Sequence, residues 1–210
     1  LSLHDALPIY TGLSASGQTV SYYAFFGPTY YTTAAQENQV TSAVTSALNS
    51  LKLSGKSAYE KVRAITDYIC GKVSYDYAHE NDNSYKPTFS AYGALIEGQA
   101  VCQGYANLFY RMALEAGLDC RTVTGNGYSG SSWGRHAWNI VKLDGKYYNI
   151  DVTWIDLLGD DQYFLKGANS FNSDHIADSK FETAAFTSAY PISNSDYVYQ
   201  PVSVKEYTVS

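Results

Sequence analysis

Apolar residues recur at helical spacing at Val40, Val44, Ala47, Leu48 and Leu51, which predicts an amphipathic helix over residues 35–51. Ser57, followed three residues later by Glu60, forms a capping box that opens a second helix. Val62, Ile65 and Ile69 carry its stripe to Cys70, and Gly71 ends it. Tyr105, Leu108, Phe109, Met112, Ala113 and Ala116 mark one face of a third helix, stopped at Gly117 in the place a C′ glycine prefers. Cys102 therefore falls at or just inside the N-terminus of that helix.

The strand signals lie mostly downstream. Residues 19–26 are β-branched and aromatic before the Gly27-Pro28 break, and residues 73–78 are short and tyrosine-rich, with a polar loop over 79–88. Residues 121–124 predict a strand, 125–134 a glycine-serine loop, and 136–143 and 146–153 two strands joined by Asp144-Gly145, the strongest local hairpin signal. Helices first and strands afterwards give the α+β class. Beyond Tyr163-Phe164-Leu165 the pattern weakens into polar loops. Four segments are expected: 1–9 as non-native, because LSLHDALPI resembles the in-frame translation of a short-read sequencing adapter; 10–34 as the remnant of an upstream region; 35–185 as the main domain; and 186–210 as edge strands or a linker.

Composition narrows the function classes. Of 210 residues, 45% are hydrophobic and 15% aromatic, enough for a sizeable core. A net charge of -6 with only 14 Lys plus Arg argues against a nucleic-acid surface. No apolar run is long enough to span a membrane. Few lysines and many Ser, Thr and Asn give the expectation of an extracellular or cell-surface setting. Three cysteines, Cys70, Cys102 and Cys120, leave at least one thiol over, with a Cys70–Cys120 bridge open as an alternative.

Candidate chemistry centres on Cys102. A helix N-terminus favours a thiolate and presents free amides to an oxyanion. A cysteine can equally pack as a small hydrophobe, the reading kept for Cys70 and Cys120. The hairpin supplies partners: if Leu143 pairs with Lys146, counting back sets Trp138 opposite Asp151 and His136 opposite Thr153. His136 and Asp151 then share a face as diagonal neighbours, within reach of a carboxylate–imidazole hydrogen bond. A lone histidine at a strand start is more often structural, and what tips the balance is the three residue types in roles that need one another. Gly125, Gly127 and Gly130 satisfy G-x-G-x-x-G but open no helix, so a dinucleotide site is rejected. Zinc on Cys102, His136 and Asp151 is set aside for want of close ligand pairs, and calcium for want of an EF-type loop.

GQAVCQGYA (98–106), HAWN (136–139) and YYNIDVTW (147–154), with YEKVRAITDYICGKVSYDY (59–77) and the Tyr163-Phe164-Leu165…His175 segment, resemble the successive motifs of bacterial transglutaminase-like domains over residues 35–180. The resemblance implies a papain-like fold, with Cys102 at the start of a central helix against a sheet bearing His136 and Asp151, and no cofactor. It further implies an oxyanion-assisting side chain upstream of that helix, for which Tyr75, Tyr77 and Gln99 are candidates. Gln103, Trp133 and Trp138 are the substrate-cleft candidates. The expected activity is thiol-dependent acyl transfer on amide bonds of a peptide or protein, cell-wall peptide included. A peptidase or amidase is favoured over a crosslinking transglutaminase, and a catalytically silent peptide-binding module is the rival from another class.

Overall fold

The structure, a computed structural model, describes residues 11–13, 16, 19–21 and 30–201. The adapter-like segment 1–9, residues 22–26 of the first expected strand and residues 202–210 lie outside them. The chain divides into two compact units, Leu1–Tyr30 and Tyr31–Ser210. In the first, β1 (Thr11–Leu13) pairs antiparallel with β2 (Thr19–Ser21).

The second unit begins with α1 (Ala34–Leu51) and α2 (Ala58–Cys70), each opened by a reciprocal capping box: Thr33 with Gln36, and Ser57 with Glu60. Each box satisfies orphan amides at both ends of its first turn. β3 (Ser74–Tyr75) pairs in parallel with β4 (Gln99–Ala100), and α3 (Cys102–Glu115) follows at once. Next come β5 (Cys120–Tyr128), β6 (Trp133–Leu143) and β7 (Lys146–Ile150), then α4 (Val152–Leu158), α5 (Ala168–Phe171), β8 (His175–Ala177) and α6 (Ala184–Ala189). The main sheet is antiparallel, in the order β7-β6-β5-β8. Leu108, Phe109 and Met112 of α3 are fully buried, in one core with Val62, Ile65 and Ile69 of α2 and Ile140 of β6.

Three expectations are corrected. The glycine-serine stretch is mostly strand: β5 runs through Gly125 and Gly127 to Tyr128, and only residues 129–132 turn. Its glycines serve close approach, since a Cβ at Gly125 would lie 2.1 Å from the Ile176 carbonyl oxygen, and one at Gly127 2.9 Å from the Trp154 ring. The strand expected over 146–153 ends at Ile150, because Asp151 turns out of the sheet to cap α4. Beyond Leu165 the chain is not merely loop but supplies α5, β8 and α6. Over 186–210, expected as edge strands or a linker, the described residues hold the end of α6 and one isolated bridge from Ile192 to Tyr147.

Candidate active site

Cys102 is the first residue of α3. Val101 at the N-cap offers no side-chain acceptor, and the amides of Cys102 and Gln103 find no backbone acceptor among the described residues. Gly104 lets this first turn press against the preceding loop: a Cβ there would lie 2.5 Å from the Ala100 Cβ and 2.7 Å from the Thr88 carbonyl oxygen. The loop is pinned in turn by buried Asp76, which accepts hydrogen bonds from the Thr88 hydroxyl (2.9 Å) and the His79 amide (3.3 Å) and faces His79 Nδ1 at 2.8 Å.

The β6–β7 hairpin has the register expected. Leu143 pairs with Lys146 and Asn139 with Ile150, around Asp144 and Gly145, both at positive φ as a primed two-residue turn requires. Pairing stops there, yet the carboxylate still reaches the ring: His136 Nε2 stands 2.6 Å from Asp151 Oδ2. Asp151 Oδ1 accepts from the Trp154 amide at 3.2 Å, so one fully buried carboxylate caps α4 and orients the imidazole. Nε2 being taken, Nδ1 is the ring nitrogen left for the thiol. Asn139 ties the pieces together, donating Nδ2–H to the Ala106 carbonyl of α3 and the Arg121 carbonyl of β5 at 3.1 and 3.3 Å.

Cys102 and His136 line one cavity of about 370 Å³, with Tyr75, Glu80, Gln103 and Arg135. Burial works against a charged His136 ring, but the charge and hydrogen bond of Asp151, helped by Cys102, outweigh it and raise its pKa to about 10. Burial likewise opposes ionisation of Asp151, yet His136 first and His175 second hold its carboxyl well below the usual range. All three cysteines are free thiols, so the Cys70–Cys120 bridge is not formed. Burial pushes the Cys70 thiol up to about 12 and Cys120 also upward.

The other site candidates separate. Among the oxyanion candidates, Tyr75 lines the cavity, and burial followed by the neighbouring Cys102 raises its phenol pKa. Tyr77 is 69% exposed with its ring packed on Tyr75, and Gln99 is exposed on β4; neither lines the cavity. Among the cleft candidates, Gln103 is in place. Trp133 lies instead at the hairpin tip, against Tyr128, and Trp138 is buried, donating Nε1–H to Asn149 Oδ1. The apolar indole finds its best surroundings inside, which displaces Trp138 from the cleft.

Two features went unassigned in the sequence. Arg135 grips Asp178 through both guanidinium nitrogens (2.7 and 2.9 Å), fixing the cavity wall. His175 enters the Asp151 cluster from β8, its Nε2 3.2 Å from Oδ2. His136, Asp151 and His175 thus bring three metal-ligand atoms within 4.8 Å of one another. The same atoms are engaged with each other, both imidazoles converging on one carboxylate oxygen, which is a hydrogen-bond network and not a set of ligands splayed around an ion. Among the described residues no helix is long and apolar enough to cross a membrane.

Residues 45–152 match the sequence model of the Transglutaminase-like superfamily. The kyphoscoliosis peptidase of Mus musculus is 35% identical over 170 residues, covering 70% of this chain and 25% of that protein. The kyphoscoliosis peptidase of Homo sapiens is 36% identical over 143 residues, covering 58% and 21%. The chain spans a quarter or less of the length of these relatives. A solved structure described as that of a TGase is 23% identical with a TM-score of 0.50, covering 58% of this chain and 33% of that one, a likeness of fold. The α+β, papain-like architecture expected from the sequence is the one observed.

Proposed function

The chain belongs to the transglutaminase-like superfamily, and from that premise we propose that it is a cysteine peptidase or amidase, cleaving amide bonds of peptides or proteins through Cys102, His136 and Asp151. The observation that carries this is the 2.6 Å contact of His136 Nε2 with Asp151 Oδ2, on a ring that shares its cavity with Cys102. The relatives named above are peptidases, which favours water as the acceptor.

In the proposed reaction Cys102 gives its thiol proton to His136 Nδ1 and its sulfur attacks the carbonyl carbon, whose oxygen takes the electron pair as an oxyanion. The free amides at the start of α3 receive it, with the Tyr75 hydroxyl as the side-chain candidate. Collapse expels the amine, which takes its proton from His136 Nδ1 and leaves a thioester on Cys102. A water, giving its proton to the same nitrogen, then attacks the thioester; the carbon–sulfur bond breaks, the acid leaves and the proton returns to the Cys102 sulfur. Asp151 keeps the ring in the tautomer both transfers need.

The test pairs two assays on the same chain: release of amine from a library of casein-derived peptides, and incorporation of dansylcadaverine into casein. Hydrolysis that vanishes in Cys102→Ala is the expected result. Amine incorporation without hydrolysis would make the chain a crosslinking enzyme, and peptide binding with neither activity would make it a silent module.

A further inference from the structure

His175 is a buried titratable side chain in contact with the site, and the proposed reaction gives it no role. Its side chain is fully buried on the three-residue strand β8, placed by pairing with Gly127 of β5. The ring stacks on Phe171 at 3.9 Å and meets Trp138, Trp154 and Tyr163 at 5.2, 4.4 and 5.4 Å. In so aromatic a nest a phenylalanine would pack as well as an imidazole. Each ring nitrogen, however, faces a carboxylate: Nε2 lies 3.2 Å from Asp151 Oδ2, and Nδ1 lies 2.7 Å from Asp174 Oδ1. Asp174 is itself held by the Tyr163 hydroxyl at 2.7 Å. Buried polar atoms retained where apolar ones would fit point to a task.

The task follows from the acceptor. Oδ2 of Asp151 is the oxygen that His136 also uses, at 2.6 Å, so two imidazoles compete for one partner. An anion that gave all its hydrogen bonding on that oxygen to His136 would bind the imidazolium so firmly that its proton would be hard to release. A general acid works best when its proton is neither lost early nor held late. We propose that His175 is a positioning residue acting through Asp151, dividing that carboxylate oxygen between two rings so that His136 can pass its proton to the departing amine. This rests on the reading of Cys102, His136 and Asp151 given above.

The charged and titratable groups around the pair are few. Asp151, Asp174 and Tyr163 face His175, with Glu182 on the cavity beyond it; Cys102, Arg135, Glu80 and Tyr75 share the cavity of His136. Removing the His175 donor strengthens the hold of Asp151 on His136, and removing any positive charge there acts in the same sense, so both effects raise the basicity of His136.

The test is imidazole ¹⁵N NMR of the full chain across pH, with the His136 signal identified by its loss in His136→Gln. In His175→Phe, which keeps the stacking and loses both nitrogens, the His136 midpoint should rise by about half to one pH unit. In His175→Gln, which restores an amide donor, it should return toward that of the unaltered chain. A fall, or no change, in folded His175→Phe overturns the proposal. If that variant does not fold, the unaltered chain still decides: a His175 Nε2 that carries no proton is no donor, and the proposal fails. The titration needs no turnover, so a chain that cleaves nothing would sink the catalytic reading while still reporting whether His175 divides the carboxylate.

Discussion

Ile65, Leu108, Phe109 and Met112 are as fully removed from solvent as Asp151, and His175 nearly so, but the two groups stand in opposite energetic situations. Burying the first is itself the gain, about 25 cal/mol for each Å² of apolar surface taken from water. Burying the second is a cost, because a carboxylate leaves its hydration behind and is tolerated only where donors replace it. Asp151 has three: His136 and His175 on one oxygen and the Trp154 amide on the other. Stability and chemistry should therefore come apart under mutation, with substitutions in the helical core unfolding the chain and substitutions in the cluster silencing it.

The sharpest way to break this contrast is to change Asp151. Asp151→Asn, close in shape but unable to hold an imidazolium, should lower kcat by about 10⁴-fold, as loss of the orienting carboxylate does in a Ser-His-Asp triad, while the chain still folds by circular dichroism. Next in size is Phe109→Ala, which should cost about 3–5 kcal/mol in urea denaturation while leaving kcat per folded molecule near its original value. A comparable loss of turnover from Phe109→Ala would show that core and site are not separable.

The remaining effect is a pH dependence. His136 titrates at about 10 in the folded chain against 6.5 as the ordinary value, so its stabilising share is complete below about pH 6.5 and is lost as pH rises toward 10. Asp151 runs the other way: its share is present above its ordinary 3.8 and is lost as pH falls below that. The stability advantage of the unaltered chain over His136→Gln, measured by urea midpoints, should therefore be largest near pH 6 and shrink by pH 10. An advantage that grew with pH would reverse the assigned partnership.

What could be seen in the sequence was what local rules govern. The three long helices followed from apolar spacing, with Ser57, Glu60 and Gly117 as capping signals for the second and third, and the Asp144-Gly145 turn fixed the hairpin register that sets His136 beside Asp151. Even there the last step was tertiary, since Asp151 reaches the ring from a helix cap and not from a strand. Glycine reads as loop when its neighbours in space are unknown; at Gly125 and Gly127 those neighbours are the β8 backbone and the Trp154 ring. β8 itself is three residues long and exists because β5 offers an edge, so no periodicity could announce it, and His175 stayed out of the predicted site for that reason. Trp138 and Tyr77 were misjudged on the same ground: which aromatic ring faces a cleft depends on how elements pack.

The account depends most on Cys102 being set apart from the other two thiols by His136. Site-resolved iodoacetamide labelling of the full chain at pH 6, read by mass spectrometry, tests this directly. Modification should fall selectively on Cys102, leave Cys70 and Cys120 nearly untouched, and lose its selectivity in His136→Ala. Equal, slow labelling of all three cysteines, unchanged by that substitution, would contradict it.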